Sequence, residues 1–549
     1  MPEHDQHSAA FPRLDPDTVV ALGRCPNTVR KSFRDGQALF RAGDRDSRFY
    51  IVISGNVEIV DETGDAPKRV TVHEPGNFTG DVSQITGRPA VVSGYARGAT
   101  DVYEVSQAAL RAMLNEHPGL ADIILRAFIT RRELLRDSGS FTGLRVIGPH
   151  SSADTFRVRD FLARNSILFT WHDTEADPQI ADLLGQVGLS EKDTPVVMCA
   201  RKLVLRRPTN PELADALGLR RKLETKVYDL VVVGAGPAGL AAAVYGASEG
   251  LSTAVLERTA PGGQAGRSMR IENYLGFPMG ITGSDLADKA ILQASKFGAH
   301  LPVATQVLRL SFESSGPVIH LDGDVTVAAK CILIATGADY RVLGVEGCER
   351  LEGRGVYYAA TPIEAQMCRG SDVIVVGAGN SAGQAAFYLA GQARKVYLAV
   401  RGDDLSKSMS TYLATRVERT SNIEILCNTE VRRLVGDDAL GDVELVNKKT
   451  GKTRTIACPA LFSFIGAVPR TDWLPPEIER DDKEFVRTGA AVAQSPHWPG
   501  RRPPFFLETS RPGVFAAGDV RAGSVKRVAS AVGEGSMAVQ FVHEHLKDA

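Results

Sequence analysis

At 549 residues the chain exceeds what one hydrophobic core can organise, and its length argues for three or four domains. It is 43% hydrophobic and 23% charged, a globular balance; 64 basic against 65 acidic residues leave a net charge of −1, too little to gather nucleic acid or anionic lipid. No apolar run is long enough to suggest a membrane span, and the polar N-terminus MPEHDQHSAAFPRLD lacks the apolar stretch of a secretory signal. Seven cysteines, at positions 25, 199, 331, 348, 368, 427 and 458, show neither CxxC nor zinc-ligand spacing. The expectation is buried, reduced thiols in a cytoplasmic protein, and no metal site.

Residues 1–139 carry short apolar strands punctuated by glycine. Phe49–Ile53 runs into Ser54-Gly55 and Asn56–Val60 into a turn at Gly64, a pattern that suits a small antiparallel β-roll. A helix closes the unit: Leu120, Ile123, Ile124, Ala127 and Phe128 recur on one face, with Arg126, Arg131 and Arg132 off it. The stretch Gln37–Asp44 followed by Phe49–Gly55 resembles cyclic-nucleotide-binding domains. In that resemblance Gly80-Asp81-Val82-Ser83 has aspartate in place of the ribose-binding glutamate. Ala90 stands where the phosphate-binding arginine belongs, and Arg88 is displaced by two positions. The shorter carboxylate and missing guanidinium leave a phosphate without a specified partner. Three readings of the roll stay open: a cyclic-nucleotide site, a site for another ligand or protein, or a purely structural unit. No helix-turn-helix follows it.

Asp137–Ser140 reads as a linker. Over residues 143–222 the pattern runs strand Leu144–Ile147, helix Phe156–Leu162, strand Ile167–Trp171, a helix near Ile180–Val187, and strand Pro195–Met198. That alternation argues for a small α/β domain. Thr194-Pro195-Val196-Val197 resembles the cis-proline loop of glutaredoxins and thioredoxins. Where that family carries CxxC, the turn reads His150-Ser151-Ser152-Ala153-Asp154. A serine hydroxyl cannot do a thiolate's work in disulfide exchange, so the resemblance implies a redox-inert adaptor.

After the basic connector Arg220-Arg221-Lys222, the buried-strand run Tyr228–Val233 leads into Gly234-Ala235-Gly236-Pro237-Ala238-Gly239 and a helix over Leu240–Ala247. The first glycine permits the tight turn, the second lets a pyrophosphate approach the backbone, and the third allows close helix–strand packing. The helix N-terminus then favours the pyrophosphate charge. Glu257 ends the next strand, where a carboxylate accepts ribose hydroxyls. A second cradle follows Val373–Val376: Gly377-Ala378-Gly379-Asn380-Ser381-Ala382. Its next strand, Lys395–Val400, ends in Arg401 rather than an acid, which favours NADPH and leaves NADH open. Two dinucleotide cradles in one chain point to hydride transfer between bound cofactors.

The segment from about residue 226 to 549 resembles the low-molecular-weight thioredoxin reductases of the pyridine nucleotide–disulfide oxidoreductase group. Pro261-Gly262-Gly263-Gln264 and Glu272–Pro278 look like the flavin-contacting loop, and Ala335-Thr336-Gly337-Ala338 like the crossing strand. Thr509–Val520 looks like the C-terminal FAD motif, whose aspartate is Asp519. The resemblance implies an FAD domain split into residues 226–346 and 467–549, with an NADPH domain at 347–466 inserted, and a homodimer. The fold expected is therefore α/β, with two doubly wound dinucleotide-binding domains preceded by the β-roll and the thioredoxin-like domain. The FAD contacts implied are Gly234, Gly236, Pro237, Ala238, Gly239, Glu257, Arg258, Gly263, Gln264, Asn273, Ala335, Thr336, Gly337, Gly518, Asp519, Arg527 and Val528. Those for NADPH are Gly377, Gly379, Asn380, Ser381, Ala382 and Arg401.

Three departures matter. The family's CxxC reads Ala359-Ala360-Thr361-Pro362, so no catalytic residue is assigned. The family's arginine pair for the 2′-phosphate is reduced to Arg401 followed by Gly402, a loss of roughly 1.5–3 kcal/mol. Lys526-Arg527-Val528 replaces a family Arg-Gln-Ala. The reading that follows is an FAD-dependent NAD(P)H oxidoreductase with NADPH as donor and an unidentified, non-disulfide acceptor such as a redox protein, a quinone or oxygen. Thioredoxin-disulfide reduction through a partner's thiols, and a flavin-bound redox sensor or docking protein, are the alternatives.

Overall fold

The computed structural model describes residues 3–45, 47–63, 66–137, 143–177, 180–185, 188–199, 203–223, 227–314, 316–499 and 502–548. Alternating apolar side chains build the first sheet, in which strand Phe49–Asp61 pairs antiparallel with Lys68–His73 and Ser93–Val105. Two strands were expected over 49–60, and one forms. Ser54-Gly55, with Gly55 at φ +73°, makes an irregularity in the ladder rather than a turn. Helix Pro118–Asp137 closes the roll. Arg131, expected off its apolar face, is 6% exposed. It lies seven residues after Ile124 and three after Phe128, so helical geometry returns it to that face. There its guanidinium donates to the carbonyls of Ala10, Gly80 and Phe78 at 2.7, 2.7 and 3.0 Å. Gly64 and residues 138–140 lie outside the described residues.

The next sheet orders Phe169–His172, Leu144–Ile147, Val196–Cys199 and Leu203–Arg206, with the first pair parallel and the others antiparallel. Its helix spans Ala153–Arg164, longer than Phe156–Leu162, because Ser152 Oγ accepts from Thr155 N and caps it early. The strand expected from Ile167 starts at Phe169, since Ser166 at φ +54° turns the chain first. Helix Ile180–Gly185 follows, with Val187 outside the described residues. The Thr194–Pro195 peptide is cis.

The remainder is built around two mainly parallel sheets, with antiparallel strands Val307–Glu313 and Gly316–Leu321 at one edge of the first and a separate antiparallel sheet of Thr429–Val435, Asp442–Asn447 and Thr453–Ala457. Strands Thr253–Leu256, Val227–Val233 and Thr326–Ile334 are adjacent, and Val514–Ala516 returns from near the C-terminus to pair with Thr326–Ile334. Between those visits the chain builds a second sheet ordered Val356–Tyr357, Ala460–Ser463, Asp372–Val376, Lys395–Val400 and Ile423–Cys427. Cover on both faces explains why the central strands are apolar without alternation. Val231, Val232, Leu333, Val375 and Leu398 are all 0% exposed. All seven cysteines are free thiols. Four are buried as expected; Cys25, Cys199 and Cys427 are only half-buried, because each lies at or just past the end of an element. Among the described residues no helix is long and apolar enough to cross a membrane.

Candidate functional site

Each cradle sits where a parallel strand hands over to a helix. Helix Pro237–Ser248 starts from Gly236, and helix Asn380–Ala390 from Gly379; neither N-terminus has a side-chain cap. Their first N–H groups therefore lack the side-chain acceptor that most helices supply, and each end of the dipole is a ready anion site. The glycines divide by role. Gly234 has φ +105°, and a Cβ on it would run into Ala335 O; a Cβ on Gly239 would run into Gly234 O. Gly377 has φ +143°, and a Cβ on it would lie only 2.6 Å from Phe464 O. Those three serve the fold. At Gly236 the nearest atom to an added Cβ is Gly263 Cα at 3.9 Å, and at Gly379 nothing lies within 4 Å. Those two face open cradles. The observation fits a bound dinucleotide at both places: close backbone approach, unfilled space and free N–H groups.

Around the first cradle the fold gathers residues far apart in sequence. Pro237 and Ala238 open the helix, and Ala238 Cβ lies 3.1 Å from where a Cβ on Gly518 would be. The Glu257 carboxylate accepts from Ala235 N at 2.9 Å, and also from Thr259 N and Ala260 N, so it sits at the cradle's lip with acceptor capacity left. Gly263 backs Gly236, and Gln264 donates to Ala338 O next to Ala335-Thr336-Gly337, where Gly337 takes φ +65° and Thr336 Oγ donates to Arg470 O. Burial raises the Asp519 carboxyl, an effect opposed by Lys526. Arg258, Asn273 and Arg527 are exposed, and Val528 opens helix Val528–Asp548.

In the second cradle Ala382 is 0% exposed beneath Gly377, Ser381 is exposed, and Asn380 Oδ1 accepts from Ser410 N at 2.8 Å. Arg401 stands exposed after strand Lys395–Val400. An ion pair of 2.9 Å between Arg416 and Glu272 joins this unit to the first.

The segment that lacks the dithiol is closed. Ala359 is 2% exposed and Ala360 7%. Thr361 caps helix Pro362–Met367 in a box with Glu364, whose carboxylate accepts from Thr361 N at 2.8 Å; burial holds that carboxyl above its ordinary range. The Thr-x-x-Glu signature with proline at the first helical position was readable in the sequence and was missed. Nearby Cys368 is fully buried, its thiol pushed up to about 11 by burial, so it is protonated and unreactive at neutral pH. Helix Ala153–Arg164 of the small α/β unit packs just before the segment. The Phe156 ring lies 5.3 Å from Tyr357, and Ala153 and Phe156 pack against Gly353. The far end of the same helix reaches the first nucleotide unit. Asp160 pairs with Arg267 at 3.8 Å, Asn165 donates to Thr259 O, and Ser166 Oγ meets the Asp288 carboxylate at 2.8 Å.

A second device was also absent from the sequence reading. Glu534 on the C-terminal helix accepts from Gly518 N at 2.7 Å and pairs with Arg521 at 2.5 Å, fixing the turn that carries Asp519.

Residues 228–535 match the pyridine nucleotide-disulphide oxidoreductase family, and residues 30–117 match the cyclic nucleotide-binding domain. The thioredoxin reductase of Listeria monocytogenes is 33% identical over 326 residues, covering 59% of this chain and 96% of the relative. A crystal structure of T. acidophilum thioredoxin reductase is similar at 29% identity and a TM-score of 0.53, covering 58% of this chain and 99% of that one. Lactococcus lactis thioredoxin reductase in its FR conformation is similar to the same degree, at 29% identity and a TM-score of 0.53, covering 59% and 100%.

Proposed function

Since the chain belongs to the pyridine nucleotide-disulphide oxidoreductase family and is thioredoxin reductase-like, we propose that it is an FAD-dependent NAD(P)H oxidoreductase whose acceptor is not a disulfide. When bound, the nicotinamide supplies a hydride and the flavin takes it, with both cofactors carrying the chemistry. The chain's own work is to bind, orient and exclude. The open face at Gly236, with Glu257 and Asp519 beside it, holds FAD; the open face at Gly379, with Arg401 beyond it, holds NADPH. Stacked reactants held in this way turn a bimolecular step into an effectively unimolecular one.

The observation that carries the choice of acceptor is the segment Ala359–Pro362. It has no thiol, Ala359 and Ala360 are buried, and helix Ala153–Arg164 packs against the adjoining Tyr357 and Gly353. A partner's disulfide therefore finds neither a nucleophile nor access there. Anaerobic NADPH titration of the flavin-loaded protein should bleach the flavin absorbance with one equivalent. The reduced protein should then pass electrons to quinone, ferricyanide or oxygen and fail to turn over thioredoxin. Thioredoxin turnover by the protein alone overturns the reading.

Coenzyme choice rests on one guanidinium. Arg401→Ala removes a charge-assisted hydrogen-bonding group worth roughly 1.5–3 kcal/mol, so KM for NADPH should rise about tenfold to a hundredfold. KM for NADH should not change. Steady-state kinetics with both coenzymes check this, and equal losses for the two would show that Arg401 does not read the 2′-phosphate.

A further inference from the structure

The N-terminal roll holds a cavity of about 620 Å³, between the sheet, the segment Gly80–Gln84, Phe11 just past the first helix, and the helix that carries Arg131. The groups that would recognise a cyclic nucleotide there are engaged elsewhere. Asp81, at the ribose position, accepts from Ser83 N at 2.9 Å and from Ser83 Oγ, and its other oxygen pairs with Arg132 at 3.4 Å. Arg88, the displaced guanidinium, is not in the cavity wall; it donates to Asn165 O at 2.8 Å, at the junction with the next unit. The wall at the phosphate position is Ala90, Val91 and Val92. A phosphate bound there would be desolvated against methyl groups.

The same cavity has polar atoms left without a partner. Ser47 Oγ, His73 Nδ1 and Gln84 Oε1 line it, and none has a hydrogen bond; the three residues are 4%, 2% and 3% exposed. Gln84 already donates its amide to Arg48 O, so its free oxygen can only accept. Buried polar atoms are rarely left unpaired, and three around one void mark a place where something binds. Burial and the nearby Arg131 hold His73 well below its ordinary range, so its ring is neutral and adds no charge. Arg131, the buried cation of the wall, is spent on three carbonyls and on the faces of Phe11, Phe78 and Phe128 at 5.3, 4.8 and 6.0 Å. Lys68 and Arg69 also border the cavity, but both are exposed on strand Lys68–His73, so their charges stay in water. Asp61, a further carboxylate in the wall, accepts from Thr63 N and Oγ1, and the remaining side chains are mostly apolar, Phe40 and Ile59 included.

We propose that this cavity binds an uncharged, largely apolar small molecule that carries at least one O–H or N–H group, which donates to Gln84 Oε1, and that it does not bind a cyclic nucleotide. The volume suits such a ligand, and an apolar interior with a few fixed polar groups is how small-molecule sites select.

The test uses the full chain and the neutral fluorophore N-phenyl-1-naphthylamine, which has one N–H and brightens in apolar surroundings. Saturable binding at one site per chain is expected. 1-Decanol should displace the dye; decanoate, of the same length but anionic, should not, and neither should cyclic AMP or cyclic GMP. Ala90→Arg should weaken dye binding by about tenfold or more, since it puts a charge into the apolar wall. Val92→Trp, which fills the void without a charge, should weaken it as well, and thermal melting of both variants verifies folding. Displacement by cyclic AMP, stronger displacement by decanoate than by decanol, or dye binding unaffected by both folded variants would each overturn the proposal.

Discussion

A Gly236→Val variant should fold, melt close to wild type and be isolated without flavin, and Gly379→Val should keep its flavin but no longer be reduced by NADPH. Both glycines have extended backbones that any residue adopts, with φ −72° at Gly236 and −83° at Gly379. Neither has a neighbour that a new Cβ would strike. The added methyls therefore cost the apo fold little but occupy the space through which a pyrophosphate reaches the helix N–H groups. Losing two charge-assisted hydrogen bonds of roughly 1.5–3 kcal/mol each weakens binding by at least a hundredfold. Gly239→Val is the control with the opposite outcome: its Cβ would run into Gly234 O, so the protein should misfold rather than merely lose its ligand. Flavin content per chain, melting temperature and anaerobic NADPH titration separate the three results. A Gly236→Val protein that keeps full flavin would remove the first cradle from the FAD site.

The second large effect is expected at Glu508, which belongs to neither glycine cradle. Its carboxylate is 0% exposed and takes four hydrogen bonds, from Arg502 Nη1 at 2.7 Å, Arg502 Nη2 at 2.9 Å, Phe505 N at 3.0 Å and Gly513 N at 3.0 Å. Glu508→Ala leaves a guanidinium, the half-buried Phe505 N–H and the buried Gly513 N–H without their acceptor. Breaking a buried pair from one side costs about 3–5 kcal/mol, which in a domain of this size lowers the melting temperature by roughly 10 °C. Gly513 leads directly into strand Val514–Ala516 and then Gly518-Asp519, so flavin retention should fall along with stability. Glu508→Gln keeps two acceptor positions and should recover part of the loss. Thermal denaturation with flavin release checks both, and a change below about 1 kcal/mol would show that the carboxylate is dispensable.

What the sequence made legible was what repeats or is local. Both cradles are strand, glycines and helix within some twenty residues, and each forms as the spacing implies. The split of the first nucleotide sheet followed from a second complete cradle lying between two flavin-type segments, and strand Val514–Ala516 closes that sheet. Long-range pairing was not legible. Arg521 with Glu534, Asp160 with Arg267 and Ser166 with Asp288 are charges and hydroxyls brought together by tertiary packing, and no periodicity announces them. Arg131 misled because arginine is ordinarily a surface residue; its position on the helix was apolar, and three carbonyls make its burial tolerable. The continuous strand Phe49–Asp61 misled for the converse reason: a serine-glycine pair marks a turn more often than a bulge.

Helix Ala153–Arg164 touches Tyr357 and Gly353 near its start, and the chain carries on from its end to reach Thr259 and Asp288. It thus bridges the two parallel-sheet units like a strut. A swing of one unit against the other would have to tear Phe156 from its aromatic neighbour or part Ser166 from its carboxylate. The helix beside the dithiol-free segment therefore ties the two units to each other, and any rotation between them has to break these contacts first.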